Sequence, residues 1–204
     1  MAGAPVLRIA QDEAADALLA RDPFALLVGM LLDQQFPMEK AFAGPALLAT
    51  RLGVDHLDPA AVAAADPAEF ARLMAGPPAV HRYHGSMAAR VQSLAAHVRD
   101  TYDGDASRLW LEAADGADLA ARLKALPGFG DQKARIFVAL LGKQLGVRPR
   151  GWEQAAGDYA APGRRSVADV VDATTLQEVR DHKRAAKAAA KAAAADPEGT
   201  APPR

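Results

Sequence analysis

The chain has 204 residues, half of them apolar, with 24 basic and 25 acidic side chains and a net charge of −1. That length holds one sizeable domain or two small lobes sharing a core, and the near-neutral balance leaves any nucleic-acid footprint to a local basic patch. The lack of cysteine excludes disulfides, thiolate-held iron–sulfur clusters, cysteine nucleophiles and cysteine-rich zinc sites.

Helical periodicity runs through nearly the whole chain, as its abundant alanine favours. "DEAADALLARDPFALLVGMLLDQQ" predicts one helix, a break at Asp22-Pro23, and a strongly apolar helix through Leu32. Pro23 suits the first turn of that second helix, where its missing N–H costs nothing. Leu27, Met30 and Leu31 fall on one buried face. "PMEKAFAGPALLATRLG" predicts a helix ended by Gly53. Asp58-Pro59 and Asp66-Pro67 each read as an N-cap followed by proline, opening two short helices. "GSMAARVQSLAAHVRDTYDG" predicts an amphipathic helix with Met87, Val91, Leu94 and Val98 on one stripe, after Gly85-Ser86 and before Gly104. Further helices are expected over 118–126 and 133–145. The Gly-, Pro- and Arg-rich segment 147–165 reads as loop or short turns, and "SVADVVDATTLQEVRDHKR" resumes helix. With no strand pattern and no long repeat, the expected fold class is all-α.

From Arg184 the chain becomes "RAAKAAAKAAAADPEGTAPPR". Residues 184–204 read as a frayed Lys/Ala helix leading into a disordered tail. It is either a solvated end or a basic arm adding salt-sensitive, sequence-blind attraction to DNA. His81 and His84 read as surface residues without metal spacing. The N-terminus has no basic segment followed by an apolar one, and no run is long enough to span a bilayer. A soluble cytoplasmic protein without membrane contact is the expectation.

One stretch carries more chemistry than the rest. In "LKALPGFGDQKARIF", Leu123, Leu126, Gly128, Phe129, Gly130, Ala134 and Val138 occupy every position of the helix-hairpin-helix pattern. Gly128 and Gly130 permit special backbone angles and leave no Cβ before their amides. The two leucines close the first helix on its buried face, and Phe129 pins the turn. Ala134 lets the second helix cross closely. The amides that open the second helix lack intrahelical partners and lie at the positive end of its dipole, which makes a phosphate site. Lys133 is suited to a second phosphate contact.

With these residues the chain resembles the helix-hairpin-helix DNA glycosylase superfamily, the base-excision repair enzymes that include endonuclease III and the alkyladenine glycosylases. "PFALLVGMLLDQQ" resembles the superfamily's early apolar helix ending in glutamine. "GSMAARVQSLAAHV" resembles the helix before the hairpin, and "LKALPGFGDQKARIFVALLG" resembles the hairpin itself. The resemblance implies a two-lobed helical domain over residues 1–183 with a cleft between the lobes. The hairpin lobe would cover about 28–135, and the other lobe the N-terminal segment plus about 136–183. It implies damaged double-stranded DNA as the partner of a monomeric, nucleoid-associated protein. Gly128, Gly130, Gln132 and Lys133 would grip phosphates. Gln34 and Gln35 would fill the gap left by an extruded nucleotide, whose extrusion costs on the order of a few kcal/mol; otherwise they are a polar helix end in water. A potassium or sodium ion would sit on main-chain carbonyls near Lys124, Leu126 and Phe129. The four-cysteine iron–sulfur loop of endonuclease III relatives is absent.

Departures from the superfamily fall on the chemistry. Bifunctional members place a nucleophilic lysine two residues past the second glycine, where this chain has Gln132. Lys133 is one residue late, a rotation of about 100°, and is expected to point away from the cleft. Schiff-base lyase activity is therefore disfavoured, and a glutamine there suits a monofunctional glycosylase or a protein with no catalysis. The superfamily's aspartate, which stabilises the oxocarbenium ion or activates water, follows roughly eighteen to twenty residues later. That position falls on Arg150, Gly151 or Trp152, none of them acidic. Glu153 and Asp158 are the candidate acids, the alternative being none. Trp152 either stacks on an extruded base or anchors the loop in the core. Two other function classes stay open, a non-catalytic DNA-binding protein and a helical protein–protein adaptor.

Overall fold

Aspartates open most of the early helices. In the computed structural model, which describes residues 6–163 and 165–195, Asp12 caps α1 (Glu13–Arg21) by accepting from the Ala15 N–H. Asp22, Asp58 and Asp66 do the same for α2 (Pro23–Leu32), α4 (Pro59–Ala64) and α5 (Pro67–Ala75), each with proline in the first turn. The second Asp22 oxygen accepts from the Leu57 N–H at 2.7 Å, so one buried carboxylate fixes both a helix start and a distant loop. Between them α3 (Met38–Leu52) ends at Gly53, which turns the chain with φ of 68°.

Every residue from Phe24 to Leu32 is buried. Burying each leucine side chain there stabilises the fold by about 1.5–3 kcal/mol. α2 packs on α1, α3 and α6 (His84–Tyr102), and α6 also carries α4 and α5. The N-terminal helix α1 also packs on α3. The Met87, Val91, Leu94 and Val98 stripe is buried as expected. α6 starts earlier than its sequence indicates, however. The Tyr83 carbonyl accepts from the Met87 N–H at 3.0 Å, which draws Gly85 and Ser86 into the first turn.

The later helices form a second group. The one-turn helix α7 (Arg108–Leu111) precedes α8 (Gly116–Ala125), which is capped by Asp115. α9 (Asp131–Gln144) packs against α8 and against α10 (Trp152–Ala156). The segment 147–165, expected as loop or short turns, therefore contains a helix besides the 3-10 turn at Gly157–Tyr159. Its cause is docking. Gly151 turns the chain at φ of 77°, and Trp152 lands on the bare Gly142 backbone, leaving no room for a Cβ there.

A second difference follows the loop. Helix is expected from Ser166, yet α11 (Ala173–Ala195) begins later, after a 3-10 turn at Val167–Asp169. The Gln144 amide donates to the carbonyls of Val167, Ala168 and Val170. Asp169 pairs with Lys143 at 2.7 Å and accepts from the Arg165 and Ser166 N–H groups. These side chains capture the backbone groups that a helix would have used. Among the described residues there is no strand, so the chain is all-α, and no described helix is long and apolar enough to cross a membrane. Of the Lys/Ala segment, residues 184–195 continue α11; residues 196–204 lie outside the described part.

Candidate nucleic-acid interface

The hairpin is built from the docking of α9's start onto the end of α2. Leu123 and Leu126 are buried, and Phe129 is buried edge-on to Phe137 with ring centres 6.2 Å apart. Gly128 takes φ of 81°, and a Cβ there would meet Leu31 Cδ1 at 2.4 Å. Gly130 is the N-cap of α9 in an extended conformation, with no side chain capping the helix. A Cβ there would meet nothing within 4 Å. The two glycines therefore serve different needs: Gly128 lets the hairpin touch the core, and Gly130 leaves the first amides of α9 open to an anion. Asp131 in that first turn is flanked by Lys124 at 3.4 Å and Arg135 at 3.0 Å.

Beside the hairpin lies the loop that carries Gln34 and Gln35, both exposed. Lys133 points inward, onto the end of α2. Its Nζ donates to the carbonyls of Met30 and Leu31, each at 2.8 Å. It thus closes the C-terminus of α2 with a cation where the dipole is negative. Arg90 donates to Gln34 Oε1 at 2.8 Å, Arg82 lies 3.5 Å from the Gln35 carbonyl, and Lys183 is 3.6 Å from Asp33. Four cations from four parts of the chain thus surround a loop with one acid. Gln35 is held at φ of 53°. Gln34, Gln35, Tyr83, Ser86, Met87 and Arg90 line an adjoining cleft of about 340 Å³.

His81 completes the support, and it is fully buried rather than on the surface. Its Nδ1 accepts from the Tyr83 N–H at 3.0 Å, so the ring is neutral there and Nε2–H donates to the Gln34 carbonyl at 3.1 Å. Phe36 lies against the ring at 4.6 Å. Burial lowers the His81 pKa, helped by Arg82 and Lys133 and opposed by the Gln34 carbonyl. His84 is exposed.

Lys133 is the most perturbed group in this region. Burial pulls its pKa down to about 8 from 10.5, with Asp33 opposing and Arg90 and Lys183 adding to the shift. Between those values the unfolded chain keeps a proton that the folded chain has lost, so stability rises with pH across the window. Wild-type unfolding free energy is expected to increase by about 3 kcal/mol from this group as pH climbs from 8 to 10.5. Lys133→Met should lack that increment. Urea unfolding of both chains at the two ends of the window checks it, and an equal rise in the variant contradicts the assignment.

The other candidates lie along α9. Gln132 donates to the Tyr159 hydroxyl at 2.9 Å, which brings the 3-10 turn to the hairpin. Asp158 is the neighbouring exposed residue in that turn, and a Cβ on Gly157 would stand 3.7 Å from Arg135. Trp152 packs on Gly142, with the Arg148 guanidinium 5.7 Å from its ring centre. Gly142 lies ten residues, or about 15 Å, along α9 from Gln132. Glu153 is exposed beside Trp152. The hairpin, Gln34, Gln35 and Lys133 are thus brought together, and Trp152 and Glu153 are set apart. Sequence reading missed Tyr159, Arg90 and the burial of His81. Arg90 meets a partner 56 residues away, which no local pattern marks. Among the described residues no three His, Asp or Glu side chains gather to hold a metal ion. Comparison with family models, curated proteins and solved structures returned no match.

Proposed function

We propose that the protein binds damaged duplex DNA as a helix-hairpin-helix protein of the DNA glycosylase type, and that it acts as a monofunctional N-glycosylase. The observation that carries this reading is the convergence of an uncapped helix start at Gly130 with a loop contacted by Arg82, Arg90 and Lys183, Lys133 sitting on the turn of α2 just before it. A chain of net charge −1 has no general attraction for DNA, so this local clustering supplies it. The two lobes of the reading are residues about 28–135 and the N-terminal segment plus about 136–183, and the phosphates sit on the Gly128–Lys133 segment. Lys133 contributes through its charge and through its hold on α2, since its Nζ is engaged by two carbonyls. Gln34 and Gln35 occupy the space of an extruded nucleotide.

Tyr159, at the hairpin through Gln132, gives the base an aromatic face in place of Trp152. Asp158 becomes the preferred acid for activating water, because its turn adjoins Gln132 while Glu153 lies near the far end of α9. Gln132 offers no amine, so no Schiff base forms. The monovalent cation implied by the resemblance would be held by the neutral carbonyls of Lys124, Leu126 and Phe129. Leu126 O already accepts from the Phe129 N–H at 3.0 Å and keeps one lone pair for an ion.

A non-catalytic DNA-binding role is the second reading, favoured by the exposure of both carboxylates. Mass-spectrometric detection of free bases released from chemically damaged duplex separates the two. Release by wild type that is lost in Asp158→Asn and kept in Glu153→Gln supports the enzyme. Duplex binding with no base released favours the binding protein.

A further inference from the structure

The end of α11 continues from the loop just described. Val179 is fully buried. Beyond it Arg180 pairs with Glu39 at 2.5 Å and Lys183 lies 3.6 Å from Asp33, so the helix leaves the core beside Gln34. Residues 184–192 are exposed. At about 100° per residue, Arg180, Lys183, Arg184, Lys187 and Lys191 all fall within one sector of roughly 100°. The basic stripe of the exposed part is therefore on the face that already touches the loop. Glu178 and Asp181 lie outside that sector, and in the exposed part Arg184 has Asp181 at 3.4 Å. From Lys183 to Ala195 the helix carries cations and no anion.

The rest of this segment is alanine. It offers no aromatic or large aliphatic anchor of the kind that protein interfaces concentrate. Evenly spaced cations on a bare helix match a uniform polyanion, whose phosphates are read without sequence preference.

We propose that residues 184–195 form an arm that lies along the phosphate backbone of the duplex held at the hairpin, with Arg184, Lys187 and Lys191 as its contacts. The proposal rests on the DNA-binding reading above. The arm extends about 18 Å from the Gln34–Gln35 loop, and its register on the duplex is set by the Arg180–Glu39 and Lys183–Asp33 pairs.

The test uses the full chain, a short undamaged duplex and a salt titration. The triple variant Arg184→Gln, Lys187→Gln, Lys191→Gln is compared with wild type and with Ala185→Gln, Ala189→Gln on the opposite face. Circular dichroism confirms equal helix content. The triple variant is expected to lose about 2–3 from the slope of log K against log salt, at about 0.9 per phosphate contact, while the alanine-face variant keeps the wild-type slope. An unchanged slope in the triple variant, with Gly130→Asp still impairing binding, overturns the arm and leaves the DNA reading standing. Equal losses from both faces also overturn it, since the stripe would then have no role. Failure of wild type to bind duplex even at low salt removes the DNA reading and the arm together.

Discussion

Gly130→Asp is expected to lower duplex affinity by roughly a hundredfold or more while leaving the fold intact. The position tolerates a side chain, since its backbone is extended at φ of −96° and a Cβ meets nothing within 4 Å. What an aspartate adds is a carboxylate before the free amides of α9. It competes for those N–H groups as an ordinary N-cap and repels the phosphate that would otherwise accept from them. Losing one charge-assisted hydrogen bond, together with surface repulsion, amounts to about 3 kcal/mol or more, which is a hundredfold in affinity. Fluorescence anisotropy on a short duplex and a urea unfolding curve read the two parts separately. A folded variant that binds as wild type does would remove the hairpin from the interface.

For Gly128→Ala the expected damage is to stability, about 2–5 kcal/mol. At φ of 81° an alanine is strained by about 1–2 kcal/mol, and its Cβ would press on Leu31 Cδ1 at 2.4 Å. Leu31 is fully buried, so it has nowhere to move, and overpacking adds about 1–3 kcal/mol. Gly53→Ala is the internal control. It has φ of 68° and nothing within 4 Å of the added Cβ, so it carries the conformational cost alone. Chemical denaturation of the two variants should show Gly128→Ala as clearly the worse. Equal losses would mean that the hairpin does not press on α2.

These two glycines illustrate how far the chain can be read in one dimension. The hairpin was legible because its determinants lie within sixteen residues, 123–138, in fixed order. The Asp–Pro helix starts were legible for the same reason, as a cap and the amide it serves are two or three residues apart. The Val91 stripe of α6 followed from the helical period. Elements whose shape depends on a distant partner were not legible. α10 forms where Trp152 finds Gly142, and α11 starts late because Gln144 holds the carbonyls of Val167, Ala168 and Val170. His81 has a polar ring that a surface would suit, and only the backbone groups of Gln34 and Tyr83 make its burial affordable in free energy.

The same division runs through the candidate site. By itself the sequence determined an all-α chain, the hairpin with its open helix start, and the absence of a lysine at position 132, since each depends on residue type and short spacing. The tertiary structure alone decided where Lys133 points, because its acceptors on α2 lie 103 and 102 residues away. It also decided that Arg82, Arg90 and Lys183 join Lys133 around Gln34 and Gln35, and that Gln132 meets Tyr159, the residue after Asp158. Charge clustering is a property of positions in space, and a chain that is neutral in sum shows it only once distant helices have packed.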